Sequence, residues 1–271
     1  MTGFLMKPKV YFAFKQVMEN DRARLGFLSS ILKVNPEDIK KTHILSIDPC
    51  REDEYDSQGL LDIKLFMKDD TEIVTEIQMA GKNISPERSF SYFCKLYLDQ
   101  SSSDQGCNKI KKCVVISILD FIRYPGREKF YSCFHIGEDT RKIILDDSIE
   151  LYVLELPKLS EELREGCSNI ELWAKFINAE RKEEFDMLAQ KDPYIKSAYE
   201  QLQVVSQDKE KRLEYEARQK AIWDYNQMVL EAEERINKLN AFLIQDERFE
   251  DLKRSTTDGS YQKQLMEQYG I

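Results

Sequence analysis

The sequence has only two histidines, His43 and His135, and its six cysteines include no Cys-x-x-Cys pair. Zinc chemistry built on histidine therefore has little material, and neither a zinc cluster nor a disulfide framework fits the scattered Cys50, Cys94, Cys107, Cys113, Cys133 and Cys167. Reduced thiols in a cytoplasm are the expectation. No stretch approaches the ~18 apolar residues of a membrane span, so no membrane association is expected. The start, MTGFLMKPKVYFAFK, lacks an apolar core followed by a small-residue cleavage site, so no signal peptide is read there. Glycine-rich phosphate loops, a GxSxG elbow and a Cys/His nucleophile pair are all missing. Positive charge is also short: 40 Lys and Arg stand against 49 Asp and Glu, a net charge of −9. That balance argues against broad non-specific binding to nucleic acid, while leaving room for a local basic groove.

What remains is a chain of 271 residues, 42% hydrophobic and 33% charged. It suits one large domain, or one domain with a sizeable helical accessory. Residues 9–33 carry helical periodicity with a break near Glu19-Asn20-Asp21. Asn35-Pro36-Glu37 has the chemistry of a helix start, and 42–48 reads as a short strand. Ser85-Pro86-Glu87 starts a further helix, expected to run to about 99 or 100, with Arg88, Tyr92 and Lys95 on one face. CVVISILDF at 113–121 is an apolar, β-branched run of strand length, suited to a central buried strand. FYSCFHI at 130–136 and ELYVLEL at 150–156 read as further strands, with His135 a strand residue whose imidazole is satisfied. Beyond 160 the sequence turns charged and helical, ending in two short helices joined near Asp258-Gly259. The expected division is a core at 1–160 and a helical region at 161–271.

The stretch LLDIKLFMKDDTEIVTEIQM at 60–79 carries the chemistry. Both halves alternate with period two, and Lys68-Asp69-Asp70-Thr71 supplies a turn, so a β-hairpin is predicted. Its polar residues are unusual, because Asp and Glu have low strand propensity and resist burial. A two-residue loop would pair Asp62 with Ile77 and set Glu76 on the other face. A three-residue loop sets Asp62 opposite Glu76 or Gln78 and gathers all three on one face. The three-residue form, or an equivalent bulge, is predicted, since Asp tolerates the left-handed conformation it requires. Two carboxylates, with the carbonyl of Ile77, suit a Mg²⁺ ion, and Gln78 suits the positioning of water. The same spacing also fits an edge hairpin with a solvated outer face. Arg88, Tyr92 and Lys95 fit phosphate binding, or equally a solvated helix face.

The order of FAFKQVMEN, GFLSSIL, LLDIKLFMKDDTEIVTEIQM, ERSFSYFCKLYLDQ, KKCVVISILDF, FYSCFHI and ELYVLELPKL resembles the PD-(D/E)XK nuclease family transposases, also described as Rpn-like recombination-promoting nucleases. The resemblance extends into the tail, AYEQLQVVSQDKEKRLEYEARQKAIWDYNQ. It implies an α/β fold with a restriction-endonuclease-like core, a mixed central sheet flanked by helices, and a helical C-terminal extension. It implies a Mg²⁺-dependent DNA endonuclease, with Mn²⁺ or Ca²⁺ as other candidate ions. The first acid of the motif maps onto Asp62 and the (D/E)XK element onto Glu76-Ile77-Gln78, with Gln where the wider superfamily usually has Lys. Arg88 and Tyr92 match family positions on the following helix. Two departures touch the rim: Tyr11 stands where many members have Asp, and Asp104-Gln105-Gly106-Cys107-Asn108 replaces a Gly-x-x-Tyr loop. A homodimer would concentrate what basic surface the chain has and supply two sites for double-strand cleavage. A nuclease-fold interaction protein without activity, or a nuclease acting on RNA, would carry the same core.

Overall fold

Alternation along LLDIKLFM and EIVTEIQMA produces the strands β2 (Leu60–Met67) and β3 (Glu72–Ala80). They belong to a mixed six-stranded sheet with β1 (Ile39–Ile44), β4 (Lys112–Leu119), β5 (Tyr131–Gly137) and β6 (Ile144–Glu155), in the order β1-β2-β3-β4-β6-β5. The computed structural model describes residues 4–45, 60–80, 94, 98, 111–163 and 166–271. β3, β4 and β6 run parallel at the centre, and antiparallel strands flank them on both sides. The run CVVISIL forms the central strand β4, buried on both faces as its unbroken apolar character requires.

One sheet face carries Leu61, Ile63, Leu65 and Ile77, all fully buried. Helix α2 (Asp21–Leu32) packs on the sheet at β1, and α1 (Tyr11–Met18) packs on α2. The break between them falls at Glu19-Asn20, as the periodicity predicts, because the Asn20 side chain accepts from the backbone N–H groups of Arg22 and Ala23, both at 3.0 Å, and caps α2. Helix α2 crosses the sheet. Arg24 Nε donates to Thr42 Oγ1 on β1 at 2.9 Å, and Tyr131 on β5 donates its hydroxyl to the Ile31 carbonyl at 3.1 Å.

Three expectations shift. The start signal at Asn35-Pro36-Glu37 makes only one 3₁₀ turn, Pro36–Asp38, because the chain enters β1 directly at Ile39. β1 therefore begins earlier than 42, and 46–48 lie outside the described residues. β6 runs 12 residues, longer than ELYVLEL.

The helical half comprises α3 (Asn169–Asn178), α4 (Lys182–Lys191), α5 (Pro193–Gln207), α6 (Lys209–Gln245), α7 (Phe249–Ser255) and α8 (Gly259–Tyr269). The two closing helices meet at Asp258, whose carboxylate caps α8 through Tyr261 N–H at 3.0 Å. An aromatic series links the first five helices, with rings 5.3–5.7 Å apart from Phe14 through Phe27, Trp173, Phe176 and Phe185 to Tyr199. Gly26 permits the close approach of α2 and α5: a Cβ there would collide with Cβ of Tyr194. These contacts explain why the compact division falls between Arg212 and Leu213. Residue 160 marks the change from strands to helices, but α3–α5 share the core of the sheet unit. The second unit, 213–271, has its own apolar cluster of Leu239, Leu243, Leu265 and Met266.

Candidate functional site

The hairpin loop sets the site. Met67 N–H donates to the Thr71 carbonyl at 2.8 Å, closing a three-residue loop of Lys68, Asp69 and Asp70. Asp70 takes φ +64°, the left-handed conformation that such a loop demands and that Asp tolerates. Asp69 Oδ1 accepts the Thr71 N–H at 3.0 Å and holds the turn. The resulting register pairs Phe66 with Glu72, Asp62 with Glu76, and Leu60 with Gln78. Register positions 62, 76 and 78 therefore share one sheet face, opposite that of Leu61, Ile63 and Ile77. The side chains at 62, 76 and 78 lie outside the described set, as do Arg88, Tyr92 and Lys95 and the loop at 104–108.

Parallel pairing brings β4 to the same place. Glu76 is registered with Val115 at mid-strand and Gln78 with Ser117 towards the carboxyl ends of β3 and β4. Brändén-type sheets bind ligands at such ends. Ser117 is 3% exposed, and its hydroxyl has no hydrogen-bond partner among the described residues. A buried hydroxyl usually finds a partner, so an orphan facing this side of the sheet marks a polar spot. The only sign of it in the sequence is one hydroxyl within CVVISIL, which the hydrophobic pattern alone passes over. Cys94, a helical residue, packs against Cys113 and Val115 on this face. The helix expected after Ser85 therefore has a described member on the site side of the sheet.

Charges around the hairpin are anchored. Lys64 Nζ lies 2.6 Å from Glu72 Oε1, and Lys111 Nζ lies 2.5 Å from Glu72 Oε2. Burial works to raise the Glu72 carboxyl pKa, but the two lysines outweigh it and hold it below the ordinary carboxylate value. Glu155, at the end of β6, is fully committed to structure. It accepts from Arg123 N–H at 2.7 Å, Tyr124 N–H at 2.9 Å and Lys158 Nζ at 2.6 Å, which fixes the loop after β4. Both acids are engaged by these partners.

The donor set fits a hard divalent ion. Two positions that carry carboxylate residues, 62 and 76, are paired in the backbone register, with Ile77 next to Glu76, and oxygen ligands of this chemistry suit Mg²⁺. The histidines do not contribute. His43 is on β1 and His135 on β5, the two outer strands, and His135 Nε2 sits 3.3 Å from Cys133 Sγ. Among the described side chains, no group of three or more His, Cys, Asp or Glu is arranged for a metal. No helix among the described residues is long and apolar enough to cross a membrane.

A family model described as PD-(D/E)XK nuclease family transposase matches residues 8–232. No curated protein and no solved structure matches the chain.

Proposed function

The chain belongs to the PD-(D/E)XK nuclease family transposases, and on that premise we propose that it is a divalent-metal-dependent endonuclease that hydrolyses DNA phosphodiesters. The observation that carries the reading is the register that opposes Asp62 and Glu76 and sets Gln78 on the same face. Nuclease folds of this kind generally work with divalent metals. In this reading Asp62, Glu76 and the Ile77 carbonyl hold the ion, Mg²⁺ first, with Mn²⁺ or Ca²⁺ as substitutes. When bound, the ion lowers the pKa of a coordinated water and offsets charge on the phosphate. Gln78 orients the attacking water by hydrogen bonding and stays neutral at all ordinary pH values. Arg88 and Lys95 neutralise the phosphate, and Tyr92 positions it. Water attacks phosphorus in line, the 3′ oxygen leaves as a hydroxyl, and the phosphate stays on the 5′ end.

The cytoplasm is the proposed location. The thiols of Cys94 and Cys133, neither of them in a disulfide, support it. Recombination and transposition are the biological settings that the family description suggests, and DNA is the proposed partner.

Calorimetric titration with Mn²⁺ tests the site directly. The wild-type chain is expected to bind one ion, and Asp62→Asn and Glu76→Gln are each expected to weaken binding at least tenfold with unchanged circular dichroism. Equal binding by all three proteins would remove the ion from this hairpin. Comparing DNA with RNA substrates then separates the two nuclease readings, and no cleavage of either would favour the interaction protein.

A further inference from the structure

The sheet face that carries positions 62, 76 and 78 continues along the hairpin toward its turn, and the pairing registers fix what stands on it. The row next to Asp62 and Glu76 holds His43, Lys64, Val74 and Cys113, and the row after it holds Lys41, Phe66 and Glu72. Successive rows lie about 7 Å apart, two residues along a strand. Lys111, two residues before Cys113, is on the same face, as its contact with Glu72 confirms. A structural ion pair needs one cation for one acid. Here Lys64 and Lys111 each take one oxygen of Glu72, which leaves the trio net positive, and 28% and 41% of the two side chains stay exposed. Lys41 is exposed beside them, and the ion pairs among the described residues at this end, Lys40 with Asp70 and the Glu72 trio, do not include it. His43, also exposed, stands perpendicular to the Phe66 ring at 5.7 Å, and Lys64 Nζ lies 5.9 Å from the same ring.

Over these two rows, three lysines and a histidine stand against one acid. The other acids of this end lie on either side of them. Positions 62 and 76 are on one side. Glu37, Asp38, Asp69 and Asp70 are on the other, at the hairpin turn, where Lys40 and Lys68 offset half of their charge and Lys68 N–H donates to the Asp38 carbonyl at 2.8 Å. The cations therefore form a band across the strands, from β1 to the start of β4, three strand spacings or about 14 Å wide. Along that distance one DNA strand presents about four phosphates. On the nuclease reading of the hairpin, from which the choice of DNA follows, we propose that Lys41, His43, Lys64 and Lys111 are where the DNA phosphate backbone crosses the sheet beside the metal positions. A divalent ion at 62 and 76 would offset the acids on that side of the band. Lysine binds phosphate as a point charge, so the band supplies affinity and orientation and reads no base sequence.

Fluorescence anisotropy of the full chain with a labelled DNA duplex, in EDTA and from about 50 to 200 mM NaCl, reads binding apart from cleavage. The wild type is expected to bind with an affinity that falls as salt rises. Lys41→Ala combined with Lys64→Ala is expected to weaken binding about tenfold and to lower the salt slope by about 2, with unchanged circular dichroism. Lys182→Ala combined with Lys191→Ala removes the same charge from α4, which packs on α5, and is expected to leave affinity and slope as in the wild type. Equal weakening by the two double variants, wild-type affinity and slope in Lys41→Ala with Lys64→Ala, or no binding by the wild type at the lowest salt would each overturn the proposal. Binding lost with Lys41 and Lys64, in a chain that takes up no Mn²⁺ at positions 62 and 76, would uphold the band and overturn the nuclease reading instead.

Discussion

Glu72 and its two lysines show how single residues prepare this face of the sheet. Its carboxyl is held below the ordinary value by Lys111 and Lys64, against the upward push of burial. The folded pKa is the lower one, so the pair stabilises the fold above the unfolded carboxylate pKa, and the gain is lost as pH falls through the folded value. Replacing Glu72 with Gln is expected to cost about 1 kcal/mol at neutral pH, and the difference from wild type is expected to shrink on acidification. Chemical denaturation of both proteins at neutral and acidic pH checks it; a gap that widens in acid would refute the assignment. Ser117 is the residue that sequence patterning could not single out. Its hydroxyl matters only through its register with Gln78, which depends on parallel pairing between strands 39 residues apart in sequence.

Among the elements, the hairpin was the most legible. Period-two alternation located both strands, and the chemistry of Asp favoured the three-residue loop over the two-residue one. The structure has that loop, with Asp70 left-handed. This predicts that Asp70→Val destabilises the chain by about 1–2 kcal/mol, because a β-branched side chain resists φ > 0, whereas Asp70→Gly is tolerated. Thermal melts of the two variants decide it, and equal melting temperatures would sink the loop account. Other elements were read less well for physical reasons. Asn35-Pro36-Glu37 is a sound cap, but a cap does not set length, and the sheet claims Ile39 after one turn. The division of the helical half depends on contacts such as Gly26 with Tyr194, which link residues far apart in sequence and leave no local signal.

For the whole molecule, acidity and architecture pull in different directions. A net charge of −9 opposes close approach to DNA, so the proposed activity requires a local basic face and metal charge at the hairpin. The fold class was legible because the order of strands and helices survives as a sequence pattern. The compact division at 212/213 was not, since it interrupts a single continuous helix. The central claim is that the opposed positions 62 and 76 make a metal-dependent nuclease site. Its most direct test is cleavage of supercoiled plasmid with and without Mg²⁺ or Mn²⁺, by wild type, Asp62→Ala and Glu76→Ala. The account predicts metal-dependent nicking by the wild type, lost at least a hundredfold in both variants while their folding stays intact. Equal cleavage by all three proteins, or none by the folded wild type with either metal, would contradict it.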